Sequence, residues 1–421
     1  MAARDGATVD DSSAVGTGER VVVVSQQYPP ELGGNASRVG DTAGQLVREG
    51  MRVSVVAPPR SYPPESYPRT WQRHEHTIEE GVDVHRLWSW QPSRSDPNAL
   101  ERLAYYLFFA VHATLWLLYH RKRFDVYLCT TPPIFTSVPG LVASELTRRP
   151  FVVDVGDLWV DAAVSLGFIR EASVSTRLTR RYEHFVLLRA DRVLTTTDEM
   201  SRLLERAHGP AIARRLVVIP NAVDTDRFRP GVGSGDDGRT IVYTGNFGHA
   251  QDLEACVRAM EHVESDAHLR LVGDGDLRNR LETMVEDLGL ADRVSIEEPI
   301  PRSEVPELLA SAAVGIATLK DTDGLRYAVP SKTYEYMAAG LPVVGTDIGA
   351  LAALLNESGG GVAVESEPQQ LSETFDRLLG DRDLRRRLGE HGRRHVEQHY
   401  NRRAVAEKLA GTLTELTELH G

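Results

Sequence analysis

Short apolar runs recur along this 421-residue chain, separated by turn residues or by segments with helical spacing. Valine-rich runs of roughly four to eight residues are typical of strands buried in a parallel sheet. The first run, residues 21–24, leads through a loop containing Gly33 and Gly34 into a helical pattern over residues 37–48. A second apolar run follows at residues 53–57. This order predicts a β-α-β unit.

Two series of these units follow one another, which predicts an α/β protein with two doubly wound domains. Residues 1–19 are expected to form a disordered leader, residues 20–225 the first domain, and residues 239–395 the second domain. The glycine-rich stretch 231–238 is expected to link the domains, and residues 396–421 to form a C-terminal helix. Further strands are predicted at residues 82–87, 126–129, 151–155, 193–196, 216–219, 241–244, 269–272, 294–297, 314–317, 343–345 and 361–364.

The apolar segment 100–120 interrupts this pattern and allows two interpretations. It is about long enough to span a bilayer, but it contains Glu101, Arg102 and His112 and lies inside the first predicted domain. It therefore predicts a helix at a membrane surface, with the basic residues 121–123 near lipid headgroups, or else a helix buried in the first domain. A membrane-spanning helix is not expected.

Composition narrows the class of protein. A net charge of −12 excludes a typical nucleic-acid binder, and 41% apolar with 26% charged residues is ordinary for a globular protein. The two cysteines, Cys129 and Cys256, lie in predicted strand or helix interiors, which indicates reduced core thiols in the cytoplasm. The leader carries no apolar signal region.

The block at residues 330–344, PSKTYEYMAAGLPVV, is the most informative motif. It places a lone acid, Glu335, on a helix that ends at Gly340 and Pro342. Such a carboxylate can cap the helix or accept hydrogen bonds from vicinal hydroxyls, such as those of a ribose. Lys332, in a chain with only four lysines, is a candidate anion contact, and the alternative is a solvated surface lysine.

Glycine turns at two predicted strand ends could place backbone amides against a diphosphate. Gly245 and Gly248 flank Asn246 after the first strand of the second domain, where they are expected to open a helix. A Gly-Asp-Gly turn at residues 273–275 follows the next strand, and ordinary turn chemistry explains it about as well. Asp157, in the sequence VGDLW, is either a helix N-cap or a contact to substrate.

The 330–344 block and the segment YPPELGGNASR resemble retaining glycosyltransferases with the glycosyltransferase-B fold, family 4 type. The PSK variant and the VGDLW segment are similar to the branch that includes amino-sugar transferases of colanic acid and O-antigen biosynthesis. The resemblance covers residues 20–400 and implies two Rossmann-like domains facing a cleft. It also implies a nucleotide-diphosphate sugar donor, expected to be a UDP-sugar, with no obligatory metal or other cofactor. The expected partners are a lipid-linked acceptor of cell-surface glycan or glycoprotein assembly and the inner face of the cell membrane.

Site roles follow from the resemblance. Glu335 matches the second of two family acids separated by seven residues and would bind ribose; the first acid is replaced by Tyr327, and the usual glycine by Pro330. Catalytic roles are expected for Asp157, Lys332 and Arg326. The expected contacts to the nucleotide sugar are Gly33, Gly34, Gly245, Asn246, Gly273, Asp274, Gly275, Ser331, Lys332 and Glu335.

The sequence also allows two other functions. A nucleotide-sugar epimerase uses the same fold and would act on the donor without an acceptor. An inactive paralogue could serve as a membrane-bound scaffold, because the first acid is missing and the family's usual cations are replaced by residues such as His249 and Gln251.

Overall fold

The computed structural model describes residues 18–31, 34–61, 67–92, 99–166, 170–231 and 238–420. Most of the predicted leader, Gly33, and residues 232–237 of the predicted linker lie outside the described residues. The chain forms two compact units. The first comprises residues 1–154, 189–191 and 406–421, and the second comprises residues 155–188 and 192–405.

The secondary structure follows the predicted alternation of strands and helices. The strands are β1 Arg20–Val24, β2 Arg52–Ala57, β3 His74–Glu79, β4 Val82–Leu87, β5 Val126–Thr131, β6 Phe151–Val155, β7 Arg192–Thr195, β8 Leu216–Val218, β9 Thr240–Asn246, β10 His268–Asp274, β11 Val294–Glu297, β12 Val314–Ala317, β13 Val343–Thr346 and β14 Gly361–Val364. The helices are α1 Gly34–Arg48, α2 Ala99–Tyr119, α3 Ser137–Thr147, α4 Trp159–Ser165, α5 Val174–Arg189, α6 Asp198–His208, α7 Pro210–Ala213, α8 Leu253–Ala259, α9 Arg278–Asp287, α10 Val305–Ala310, α11 Ser331–Ala338, α12 Gly349–Ser358, α13 Pro368–Gly380, α14 Arg382–His399 and α15 Arg402–His420.

One sheet has eight strands in the order β3-β4-β2-β1-β5-β6-β7-β8. Strand β1 pairs in parallel with both β2 and β5, and the side chains of its four valines are at most 1% exposed. A strand that is covered on both faces has no polar face, which explains its continuous apolar run. Helix α1 is tied to β6 by a buried ion pair in which two guanidinium nitrogens of Arg38 donate to Asp154, at 2.8 and 3.0 Å.

Strand β3, which the sequence patterns did not predict, pairs antiparallel with β4 at the edge of this sheet. Its sequence HEHTIE is polar, and its residues alternate between exposed and half-buried. Glu80 and Gly81 join the two strands with φ angles of 50° and 83°, the left-handed pair that a two-residue hairpin turn requires.

Helix α2 is partly buried in the first unit, as one of the two interpretations of its sequence predicted. One face is buried, through residues that include Tyr105, Phe109 and Leu117, and the helix packs against α3. The other face exposes seven large apolar side chains, defined here as the apolar stripe: Leu100, Leu103, Leu107, Phe108, Val111, Leu115 and Tyr119. Within the described parts of the chain, none of the helices combines the length and the apolarity needed to cross a bilayer.

The second sheet has six strands in the order β11-β10-β9-β12-β13-β14, and all its neighbouring strands are parallel. Numbered within this sheet, the order is 3-2-1-4-5-6, the order of the Rossmann fold. The direction of winding reverses between β9 and β12. In open sheets of this kind, ligands bind outside the carboxyl ends of the strands at that reversal.

The C-terminal helical region consists of two helices, so the helix predicted over residues 396–421 begins at Arg402, and residues 396–399 complete α14. Tyr400 and Asn401 separate the helices because their backbone pairs with Val223. The Val223 N–H donates to the Tyr400 carbonyl at 2.9 Å, and the Arg402 N–H donates to the Val223 carbonyl at 3.0 Å.

Glycines allow β9 and β10 to approach closely at their carboxyl ends. Gly245 pairs with Gly273, and a Cβ atom at Gly273 would lie 1.8 Å from the Gly245 carbonyl oxygen. A Cβ atom at Gly275 would lie 2.7 Å from the backbone nitrogen of Phe247 and 2.8 Å from its carbonyl oxygen. The protein's own backbone therefore requires glycine at positions 273 and 275, whether or not a ligand binds there.

Gly273→Ala is expected to lower the free energy of unfolding by about 1–3 kcal/mol or more, because the added methyl group overlaps the neighbouring strand. Gly380→Ala is the matched control in the same unit, since no atom lies within 4 Å of a Cβ there and α13 includes the position. We expect that control to be neutral or to stabilise by a few tenths of a kcal/mol, up to about 1 kcal/mol. Urea denaturation measures both; equal effects would show that the close approach does not constrain Gly273.

Candidate functional site

The candidate site lies in the second unit, at the carboxyl end of β9 beside the reversal of strand order. Residues 240–244 of β9 are buried, whereas Gly245 and Asn246 are exposed at its end. The sequence had predicted that a helix begins directly after Gly248, and this prediction is wrong. A turn at Gln251 and the left-handed residue Asp252 intervene, so α8 begins at Leu253. The exposed strand end, and not a helix N-terminus, therefore forms this part of the site.

A buried tyrosine fixes α11 against this strand end. The Tyr336 hydroxyl accepts the Thr244 backbone N–H at 2.8 Å and bonds the Thr244 hydroxyl at 3.2 Å. Its ring leaves no room for a side chain on β12, because a Cβ atom at Gly315 would lie 2.5 Å from the ring. Residues four apart share a face of a helix, so this anchor also sets the position of Lys332.

Lys332 lies beside the Gly245 turn. Its Nζ is 3.5 Å from the centroid of the Tyr243 ring, and 3.4 Å from the point that a Cβ atom of Gly245 would occupy. Part of the side chain is exposed, but protein atoms crowd the ammonium group. Burial lowers the pKa of Lys332 to about 7, while the Glu335 carboxylate acts to raise that pKa. This environment differs from that of a solvated surface lysine and is suited to an incoming anion.

Glu335 is the fifth residue of α11 and lies beyond its first turn, which does not fit the capping interpretation. Its side chain is 17% exposed, and its Oε1 accepts a hydrogen bond from Arg302 Nη2 at 3.2 Å. Sequence reasoning missed Arg302, which lies 33 positions away in a loop without a recognisable motif. The Lys332 ammonium, the Glu335 carboxylate and the Arg302 guanidinium thus alternate in charge at this end of the sheet.

Asp157 is held by Tyr327, the residue at the position of the missing family acid. The buried Tyr327 hydroxyl donates to Asp157 Oδ1 and accepts the Leu158 N–H at 3.0 Å. Asp157 retains exposed surface, yet surrounding protein atoms raise the pKa of its carboxyl group to about 6, opposed by the Leu158 N–H. Leu158 occupies the N-cap position of α4 without a side-chain cap, so Asp157 is not the N-cap.

The other residues that the sequence predicted for the site have no described contact with Lys332 or Glu335. Arg326 forms exposed ion pairs with Asp321 at 3.0 Å and Asp323 at 3.1 Å, in the segment between β12 and α11. Asn246 and Asp274 are paired in register at the ends of β9 and β10. Ser331 is the exposed first residue of α11, and Gly34, in the other unit, is the exposed first residue of α1. The contacts described above join Lys332 to the Gly245 turn and Glu335 to Arg302, but do not include Arg326.

Comparison with known families gives two matches in succession. Residues 33–222 match the family described as "Glycosyl transferase 4-like domain", and residues 224–395 match "Glycosyl transferases group 1". Among curated proteins, the putative colanic acid biosynthesis glycosyl transferase WcaI of Escherichia coli K12 is 26% identical over 289 residues, which is 64% of this chain and 70% of that protein. The GDP-mannose-dependent alpha-(1-6)-phosphatidylinositol monomannoside mannosyltransferase of Mycobacterium tuberculosis is 23% identical over 433 residues, or 94% and 98%.

Solved structures show the same fold. Sucrose-phosphate synthase from Thermosynechococcus elongatus superposes with a TM-score of 0.77 at 18% identity, covering 95% of this chain and all of that one. HepE from Anabaena, solved in complex with UDP-glucose, superposes with a TM-score of 0.70 at 17% identity, covering 94% and 100%. The predicted fold class of two parallel-sheet α/β domains is confirmed.

We expect the Lys332 ammonium to titrate with a pKa of about 7, compared with 10.5 for an ordinary lysine, because burial disfavours its charged form. The chain has only four lysines, so ε-¹³C-lysine labelling and NMR can follow each of them. The signal that disappears in Lys332→Met identifies the group. Titration of that signal near 10.5 would show that the ammonium is well solvated.

Proposed function

We propose that this chain, which belongs to the glycosyltransferases of the GT-B fold, transfers a sugar from a nucleoside-diphosphate donor to a lipid-linked acceptor. The proposed process is the assembly of a surface polysaccharide or glycolipid, and the proposed outcome at the anomeric carbon is retention. The observation that carries the proposal is the position of Lys332, a crowded cation beside an exposed strand end at the reversal of strand order.

The donor diphosphate is proposed to bind at the exposed Gly245 turn, where the Lys332 ammonium can contact it. Its negative charge favours the protonated ammonium, so binding raises the pKa of Lys332 from about 7 and draws a proton from solution. Negative charge builds up on the leaving diphosphate as the glycosidic bond breaks, and a pre-positioned cation stabilises that state. A UDP-sugar is the proposed donor, supported by HepE, which binds UDP-glucose; the M. tuberculosis relative is GDP-mannose-dependent, so GDP-sugars belong in any test.

Glu335 is proposed to accept hydrogen bonds from the ribose hydroxyls of the donor. Its position past the first turn of α11 leaves the carboxylate available for this role. Arg302, 3.2 Å away, limits the rotation of this carboxylate before the donor arrives. This arrangement also keeps Lys332 and Glu335 on one helix, so that the diphosphate and ribose contacts have a fixed spacing.

Asp157 is proposed to supply the carboxylate that the missing family acid would otherwise supply. Tyr327 occupies that acid's place in the sequence but uses its hydroxyl to hold Asp157. With a pKa of about 6, Asp157 is mostly ionised at pH 7 and can accept a hydrogen bond from a hydroxyl of the sugar or of the acceptor. On this proposal, Asp157 takes over the role of the acid that the chain lacks at position 327.

The membrane surface is proposed to be reached through the apolar stripe of α2. Val111 is 60% exposed and Leu115 is 62% exposed, and both lie on the face of α2 opposite Phe109. The helix is followed by Arg121, Lys122 and Arg123, all exposed, which would lie among anionic headgroups. A helix lying in the interface on the inner face of the membrane would bring the enzyme to a lipid-linked acceptor.

An acceptor-dependent assay tests the function directly. The purified chain is incubated with UDP- and GDP-sugars, with and without a polyprenyl-phosphate-linked acceptor, and nucleotide release is measured. A transferase is expected to release nucleoside diphosphate in an acceptor-dependent way, with retained anomeric configuration in the product. Conversion of the donor to an epimeric nucleotide sugar without an acceptor would support the epimerase, and failure to bind any nucleotide would support the inactive scaffold.

UDP binding at pH 8 is expected to be accompanied by proton uptake, because Lys332 is then mostly neutral when free and becomes protonated when bound. Calorimetry in buffers of different ionisation enthalpy measures this uptake. Lys332→Met should abolish it and weaken UDP binding by about 10- to 100-fold, the range for loss of a charged hydrogen bond. Lys408→Met, on the exposed face of α15, is the control and should change neither quantity. Unchanged uptake in Lys332→Met would place the diphosphate elsewhere.

Val111→Asp combined with Leu115→Asp is expected to weaken binding to anionic vesicles by roughly tenfold or more, because two apolar side chains no longer enter the interface. Leu146→Asp combined with Leu419→Asp is the matched control, since both leucines are exposed on other helices of the same unit. Vesicle co-sedimentation measures the effect, and circular dichroism checks that each variant is folded. Equal losses in both pairs would exclude a specific role for α2.

A further inference from the structure

We propose that His74, His76, Asp83 and His85 form a binding site for a divalent transition-metal ion, with zinc as the expected ion. The site lies on the β3–β4 hairpin of the first unit and is independent of the proposed transfer reaction. We define these four residues as the hairpin cluster.

The strand register brings the four side chains to one face. In an antiparallel pair, residues directly opposite each other project to the same side, as do residues two positions apart on one strand. His76 is opposite His85, His74 lies two positions before His76 on β3, and Asp83 lies two positions before His85 on β4. The hairpin turn makes this alignment local, so no other element is needed to assemble the cluster.

The distances within the cluster suit a shared ion. His76 Nε2 is 3.0 Å from Asp83 Oδ1, and His74 Nε2 is 3.1 Å from His85 Nδ1. One donor atom from each of His76, Asp83 and His85 lies within 4.8 Å of the other two. Four ligands at about 2.0–2.1 Å from zinc are roughly 3.3 Å apart in a tetrahedron, so modest side-chain rotation closes the site.

The chemistry of the cluster favours zinc among common divalent ions. Three imidazoles and one carboxylate are ligands that zinc accepts in four-coordinate sites, whereas calcium and magnesium prefer oxygen ligands. The His85 ring is buried and packs at 4.6 Å from the Trp116 ring.

Two further histidines near the cluster are already engaged and are not assigned to it. His112 Nδ1 lies 2.9 Å from the Trp88 carbonyl oxygen, and His120 Nδ1 lies 2.9 Å from the Trp116 carbonyl oxygen. His120 also packs on Trp116, at 4.2 Å between ring centroids. His85 and His120 thus pack on the same indole ring, and the open side of the cluster is made by the exposed His74 and His76.

The proposed ion would stabilise the edge of the eight-stranded sheet. Strand β3 has no fully buried residue, so little apolar burial holds it to β4. A metal bound to two side chains from each strand would cross-link the hairpin, because its binding free energy is available only when the strands are paired. The same ion would be coordinated by His74 and His76, which project from β3, the edge strand.

The test is zinc binding to the full chain after chelator treatment, measured by calorimetry. We expect one zinc ion per chain at this site and a higher melting temperature in zinc than in chelator. His76→Gln combined with Asp83→Asn removes two partly exposed ligands and should weaken zinc binding by about 10- to 100-fold or more, since loss of an outer-shell partner alone costs that much.

The matched control is His262→Gln combined with Asp292→Asn, which removes one exposed histidine and one exposed aspartate from the other unit. It should leave zinc affinity unchanged. Substituting cobalt(II) adds a spectroscopic readout, because the intensity of its visible absorption distinguishes four-coordinate from six-coordinate binding. Absence of zinc binding in the unmodified chain, or equal affinity in the His76/Asp83 variant, would overturn the proposal.

Discussion

The hydrogen bond from the Thr244 backbone N–H to the Tyr336 hydroxyl organises the candidate site. It joins the end of β9 to the middle of α11, and both groups are buried, so the bond is protected from competing water. Because Lys332 lies one turn before Tyr336, the same bond determines where the ammonium lies. The glycines at positions 245 and 273 complete the arrangement by letting β9 and β10 meet without side chains between them.

Much of the fold could be predicted from the sequence because its strands are buried on both faces. A strand such as β12 must be apolar at every position, and a continuous apolar run is visible without knowledge of its partners. Strand β3 could not be predicted in this way. It lies at an edge of the sheet, its mostly polar residues alternate between exposed and half-buried, and it is held by pairing with β4. The break at Tyr400 was missed for a related reason, because it depends on pairing with Val223.

Only those residues of the candidate site that lie in short sequence motifs could be predicted. Lys332, Glu335 and the Gly245 turn lie in short segments whose residue types suggest anion or hydroxyl contacts. Arg302 and the pairing of Tyr327 with Asp157 depend on contacts between residues 33 and 170 positions apart. A single sequence carries no signal for such distances. The expected helix at Gly248 failed because the left-handed Asp252 delays its start, and nothing in the residue types marks that delay.

The membrane role proposed for α2 would have a consequence for how the molecule approaches a bilayer. The protein carries a net charge of −12, so an anionic lipid surface repels it as a whole. The basic residues after α2 form a local exception at the end of the exposed stripe. The surface would repel the molecule as a whole and attract these basic residues. The two forces together would turn the molecule so that the end of α2 faces the lipid before contact. The orientation of the enzyme on the lipid would then be selected during approach, and raising the ionic strength would weaken that selection.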